Sequence, residues 1–143
     1  MFQRSEVKLL IDRLNEPRRF IQVVMGPRQV GKTTVVNQAL DALNVPAACY
    51  SADNVAAADG WVSFCWEQAR LEMRLNGLSQ NILIFDEIQK IPNWSEAVKA
   101  EWDRDTREKT NIKVVLLGSS VKREIKMHQL RGLRVHHSLV ELL

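Results

Sequence analysis

The sequence predicts an α/β fold, a three-layer sandwich around a mostly parallel sheet. Three observations carry that expectation. Short runs rich in β-branched and other apolar residues, "FIQVVM", "ILIFDE" and "KVVLLGSS", have the length and composition of strands buried on both faces. Longer stretches between them place apolar residues at helical spacing. The two patterns alternate along the chain, as they do when helical crossovers join parallel strands. At 143 residues the chain is one domain by length and large enough to bury a core.

The elements follow in order. Val7, Leu10, Ile11 and Leu14 fall on one helical face, and Pro17 ends that first helix. "FIQVVM" is the first strand. Val36, Ala39, Leu40 and Leu43 form the next helical stripe, Pro46 closes it, and "AACYS" follows as a second strand. "ADNVAAADG" is turn-rich and leads into a long helix from about Trp61 to Leu75. Val62, Cys65, Trp66 and Ala69 share one face of that helix, and Asn76-Gly77 caps it. "ILIFDE" (82–87) is the third strand. Asn93 or Ser95 starts another helix, and Glu96 lies three residues after Asn93 in the manner of a capping box. "DRDTREKT" reads as that helix's solvated end, and "KVVLLGSS" (113–120) is the fourth strand. The sequence shows no internal repeat and no low-complexity linker.

In such sheets ligands bind at the carboxyl ends of the strands. Three polar motifs each follow a strand directly, so all three are expected to line one crevice. The first is Gly26-Pro27-Arg28-Gln29-Val30-Gly31-Lys32-Thr33, which fits the phosphate-loop pattern GxxxxGK(S/T) and continues into Thr34. Its glycines let backbone N–H groups surround phosphate oxygens, and the following helix adds its positive end. Lys32 would neutralise the β and γ phosphates of ATP, and the Thr33 hydroxyl would ligate Mg²⁺. The bland alternative is a glycine turn with a solvated lysine.

The second motif is Asp86-Glu87. Asp86 is the candidate second Mg²⁺ ligand, and Glu87 the candidate base that orients and deprotonates water. Acids at a strand end that turns into solvent are the structural alternative. The third is Ser119-Ser120. Ser119 would sense the γ-phosphate or place the water, and plain turn chemistry explains it equally well.

Other features exclude more than they assign. A net charge of +3, from 20 Lys and Arg against 17 Asp and Glu, is too mild to mark a nucleic-acid binder. The tail is more basic, with Lys122, Arg123, Lys126, Arg131 and Arg134 against Glu124 and Glu141. Cys49 and Cys65 show no metal or redox spacing and suit a reduced cytoplasmic protein, each as a small buried hydrophobe. His128, His136 and His137 lack partners at metal-ligand spacing. Trp61, Trp66, Trp94 and Trp102 sit in helical segments and read as core or as a partner-facing patch. No guanine-reading Asn-Lys-x-Asp motif occurs. The start lacks the apolar core of a signal peptide, and no apolar run reaches the roughly 18 residues a bilayer requires. The expectation is a cytosolic, soluble protein without a membrane partner.

Together "GPRQVGKTT", "ILIFDEIQKIPNWSEAVK" and "KVVLLGSS" resemble a prokaryotic family of AAA-type ATPases whose ATPase part usually precedes a C-terminal nuclease-like domain. "GWVSFCWEQARLEMRL" and "EWDRDTREKTNIKVVLLGSS" also look like family segments, so the likeness runs from about Leu9 to Ser120. It implies a phosphate-loop core with the additional-strand, catalytic-glutamate sheet, an ATP–Mg²⁺ site, and self-association as in AAA-type ATPases. After Ser120 the likeness fails. The family continues with a Gly-Arg pair whose arginine is the candidate finger; here Arg131-Gly132 reverses that order, so neither Arg131 nor Arg134 takes the role.

The expected organisation is therefore an ATPase core over 1–120 and a divergent basic tail over 121–143, part of the same domain or partly disordered. The lid and fifth strand are expected to be missing or altered, as in a truncated or frame-altered product. Three functions follow: an Mg²⁺-dependent ATPase coupled to a partner or domain, a nucleotide-binding switch with little hydrolysis, and a DNA-associated ATPase. The second arises because a finger arginine contributes about 10³–10⁵ in rate.

Overall fold

The computed structural model describes residues 4–26, 32–53, 60–119, 133 and 135–139, with side chains for 7–24, 34–53, 60–118, 133 and 135. Along the chain the elements are α1 (Arg4–Asn15), β1 (Ile21–Gly26), α2 (Lys32–Leu43), β2 (Ala47–Ser51) and α3 (Trp61–Asn76). They continue with β3 (Asn81–Asp86), a 3-10 turn (Ile88–Lys90), α4 (Trp94–Glu108), β4 (Ile112–Ser119) and β5 (Val135–Leu139). The strands form one sheet in the order β2-β3-β4-β1-β5, and every neighbouring pair is parallel. β4 lies between β1 and β3, the additional-strand arrangement that the resemblance implies.

Side chains alternate across a strand, so a sheet covered on both faces needs apolar residues at every position. β3 meets that need with Ile82 and Ile84 on one face and Leu83 and Phe85 on the other. On the first face they join Val24, Val115 and Leu117 beneath α1 and α2, where Leu10, Leu14, Val35, Val36 and Ala39 are buried. On the second face Leu83 and Phe85 join Val23, Val114 and Leu116 beneath α3 and α4. The three-layer sandwich is complete. Trp66, Trp94 and Trp102 are buried in the α3–α4 layer, which bears out their reading as core, and Trp61 packs edge-on to Phe85 at 5.7 Å.

The helix ends show where local chemistry prevails and where it does not. Gly77 ends α3 in the left-handed conformation (φ 62), and its N–H donates to the Met73 carbonyl, as Asn76-Gly77 predicted. The capping box at Asn93 does not form. Asn93 occupies the N-cap position but has φ 57, and its side chain makes no cap hydrogen bond. A side-chain cap needs extended backbone at that residue, because only then does the oxygen reach the first free N–H groups.

Two further expectations are corrected. The segment "DRDTREKT" is not wholly solvated, since Asp105 is fully buried. Trp66 Nε1 donates to Asp105 Oδ2 at 2.6 Å and Arg70 Nε to Oδ1 at 2.9 Å, so α3 and α4 are joined by a buried polar clamp. Cys65 is buried as expected, whereas Cys49 lies exposed on the edge strand β2.

The largest correction concerns the tail. A fifth strand is present, and "VHHSL" supplies it, pairing Ile21 with Val135 and Met25 with Leu139. Two histidines and a serine do not read as a buried strand. The position is an edge, where one ladder suffices. Its physical reason is that β1 would otherwise expose a row of unpaired backbone groups. Val135 and Leu133 pack against the α3–α4 core, which anchors the strand.

Candidate functional site

Strand register gathers the predicted motifs. Gly26, the last residue of β1, lies opposite Ser119 of β4; Leu117 lies opposite Asp86 of β3; and Asp86 lies opposite Ser51 of β2. Four neighbouring strands thus end together, with a motif residue on three of them. α2 begins at Lys32, with five residues between it and the end of β1, so its positive end belongs to the same edge of the sheet. Pro27, Arg28, Gln29, Val30 and Gly31 lie outside the described residues, as do Ser120, Arg131 and Arg134 and the side chains of Lys32, Thr33 and Ser119. Thr34, in the first turn of α2, is exposed.

The acid pair is described in full. Asp86 has the strand parity of Ile82 and Ile84, which places it on the face covered by α1 and α2. It is half-buried, and its carbonyl accepts from the Ala52 N–H at 2.9 Å, which ties the ends of β3 and β2 together. Its negative charge reaches Cys49: although that residue is exposed on the edge strand, partial desolvation of its thiol first, and then the Asp86 carboxylate, push the thiol above its usual range.

Glu87 follows in a different conformation. Its backbone is left-handed (φ 54, ψ 41), and the residue is buried. A non-glycine residue held there by its surroundings is common at functional sites. The surroundings here are explicit. The Glu87 N–H donates to the Leu117 carbonyl at 2.9 Å, the Glu87 carbonyl accepts from the Lys90 N–H at 3.1 Å, and Gln89 Nε2 donates to Glu87 Oε2 at 3.2 Å. The strand end, the 3-10 turn and a side-chain amide together hold this carboxylate at the mouth of β3.

Sequence reasoning missed three residues around it. Gln89 orients Glu87, while Lys90 and Asp53 form an ion pair that links the 3-10 turn to the chain leaving β2. The faint signal was position: Asp53 stands two residues after β2 and Lys90 three after Glu87. Neither spacing reveals that parallel pairing of β2 with β3 brings the two together.

Among the described residues, the carboxyl edge of the parallel sheet therefore carries Asp86, the fixed Glu87 carboxylate and the Lys90–Asp53 ion pair. A family profile described as an AAA domain matches residues 18–142. The chain belongs to the AAA domain family. That match continues past Ser120, where the likeness read from the sequence ended.

The fold of this AAA domain recurs in solved structures. The ORC1 protein of Aeropyrum pernix, in complex with DNA, shares it with a TM-score of 0.64 at 17% identity, over 98% of this chain and 45% of that one. The RuvB Holliday junction branch migration motor of Thermotoga maritima does so with a TM-score of 0.59 at 16% identity, over 99% and 45%. At such identities the likeness is one of fold, and this chain spans under half the length of either relative's chain. No curated protein matches it at the sequence level. Among the described residues no helix is long and apolar enough to cross a membrane.

Proposed function

We propose that this AAA domain binds ATP with Mg²⁺ and hydrolyses it, using the change to drive a partner or domain. The observation that carries the proposal is the register that ends β1 at Gly26, β3 at Asp86 and β4 at Ser119 on one edge, with Glu87 held beside them. Backbone N–H groups of 26–33, all but that of Pro27, which has none, would cradle the phosphates, with Gly26, Pro27, Arg28, Gln29, Val30, Gly31, Lys32, Thr33 and Thr34 around the nucleotide. Lys32 neutralises the terminal phosphates. Thr33 and Asp86 are hard oxygen donors, the type Mg²⁺ takes, and Asp86 is accessible enough to serve. Bound there, Mg²⁺ would offset charge on the phosphates. Glu87 accepts the proton of the attacking water, and its fixed backbone and the Gln89 contact orient the carboxylate. Ser119 senses the γ-phosphate.

Nucleotide binding and phosphate release by the wild type, Lys32→Ala and Glu87→Gln test this. Lys32→Ala should lose ATP affinity. Glu87→Gln should bind ATP as the wild type does and release phosphate at least about 100-fold more slowly, the lower bound for a lost general base. Tight binding with an equally slow wild type would instead make the domain a nucleotide-dependent switch. A wild-type rate that Glu87→Gln leaves unchanged removes Glu87 as base.

A second reading, a DNA-associated ATPase, is favoured by the two solved relatives, one bound to DNA and one a Holliday junction motor, and by the basic residues after Ser119. It requires DNA binding that weakens steeply with salt. No retention of DNA at low salt would remove it.

A further inference from the structure

Helix α3 is apolar on both sides. Val62, Cys65, Trp66 and Ala69 face the sheet, yet Phe64, Leu71 and Leu75 on the opposite side are 60%, 38% and 74% exposed. At 100° per residue those three fall within about 40° of one another. With Gln68 between them they are spaced four, three and four residues apart, the a/d rhythm of a two-helix seam with Phe64 and Leu71 at d and Gln68 and Leu75 at a. The seam is flanked by Glu67 and Arg74 at g and by Glu72 at e.

The flanking charges choose the occupant. In a parallel pair, g faces e of the partner, which would set Glu67 against Glu72 twice. In an antiparallel pair, g faces g, which sets Glu67 against the partner copy's Arg74 twice. Both groups are available for it. Arg74 is exposed and makes no hydrogen bond or ion pair among the described residues. Glu67 is half-exposed and receives Arg70 Nη1 at 2.5 Å and Arg104 Nη1 at 3.1 Å, both on Oε1, so Oε2 keeps its acceptor capacity.

We propose that α3 pairs antiparallel with α3 of a second copy of this chain, around a two-fold axis between Ala69 and Arg70. Phe64 then packs on the partner copy's Leu75 and Gln68 beside its Leu71. The surface is the same on both copies, as a two-fold contact demands. A 16-residue helix spans about 24 Å. One such helix face covers less than the roughly 800 Å² per partner of a standard interface, which places the pair among the weak, concentration-dependent ones. The pairing uses none of the residues assigned to the nucleotide and needs no nucleotide.

Light scattering without nucleotide tests the pairing. At about 100 µM the mass should approach twice the 16.4 kDa of one chain, and at about 1 µM it should return to one. Leu75→Ser and Arg74→Glu, both at exposed positions, should each raise the dissociation constant at least tenfold, with the melting midpoint unchanged at about 1 µM, where the wild type is monomeric. A monomer throughout, or a dimer that survives both substitutions, overturns the proposal. Orientation is read by disulfide formation in a Cys49→Ser background. Phe64→Cys and Leu75→Cys chains should cross-link when mixed but not alone, because like positions lie about 16 Å apart along the axis. A cross-link within the Phe64→Cys chain alone overturns the antiparallel arrangement.

Discussion

Glu87 shows how contacts distant in the chain fix one residue's backbone at a cost in stability. Left-handed backbone costs a residue with a Cβ about 1–2 kcal/mol, and here three contacts impose it. Glycine has no such penalty. Elsewhere alanine is the more stabilising of the two; at this position the order reverses. Glu87→Gly should therefore be more stable than Glu87→Ala by about 1 kcal/mol in denaturant unfolding. Equal stability, or alanine ahead, would mean that the backbone relaxes once the carboxylate is gone. The acid was legible in the sequence, as an Asp-Glu pair after four apolar residues. The conformation was not, because a positive φ at glutamate is set by the chain around it.

At the scale of elements, the α3–α4 layer depends on Asp105. Its carboxylate accepts from Trp66 and Arg70, and Arg70 also meets Glu67 and Glu101. Asp105→Ala leaves the guanidinium and the indole N–H short of an acceptor in the interior, at a cost of about 3–5 kcal/mol. Asp105→Asn keeps an acceptor for Trp66 and should cost less. Burial also pushes the Asp105 carboxyl above its ordinary 3.8. A raised carboxyl binds its proton more tightly in the folded state. Its contribution is thus fully present below pH 3.8 and is lost as pH rises through the raised value. Melting curves from pH 3 upward should show that decline in the wild type and its absence in Asp105→Asn. Matching slopes would show that Asp105 titrates as it does in the unfolded chain. The helices were legible from apolar spacing, but Asp105, the second aspartate of "DRDTREKT", looks like its charged neighbours until Trp66 and Arg70 come opposite.

For the molecule as a whole, the sheet order matters most. β5 closes one side of β1, and β2 is the free edge at the other end. Removing 135–143 should expose the backbone of β1 and give a protein that melts lower and aggregates at micromolar concentration. A soluble product that melts with the full chain would show that β1 tolerates an open edge. Exposed Cys49 on β2 provides a reporter for the opposite edge.

The alternation of buried strands and amphipathic helices determined an α/β sandwich, and the polar residues after each strand marked its candidate binding edge. Both are local, because periodicity and strand-end position are written in contiguous residues. Tertiary structure alone decided that β4 stands between β1 and β3, that "VHHSL" is a strand, and that Asp105 is buried. It also decided that Gln89, Lys90 and Asp53 belong to the candidate site and that α3 keeps an apolar face outside. Each of those depends on a partner distant in the chain, and what a residue pairs with is a property of the assembled sheet.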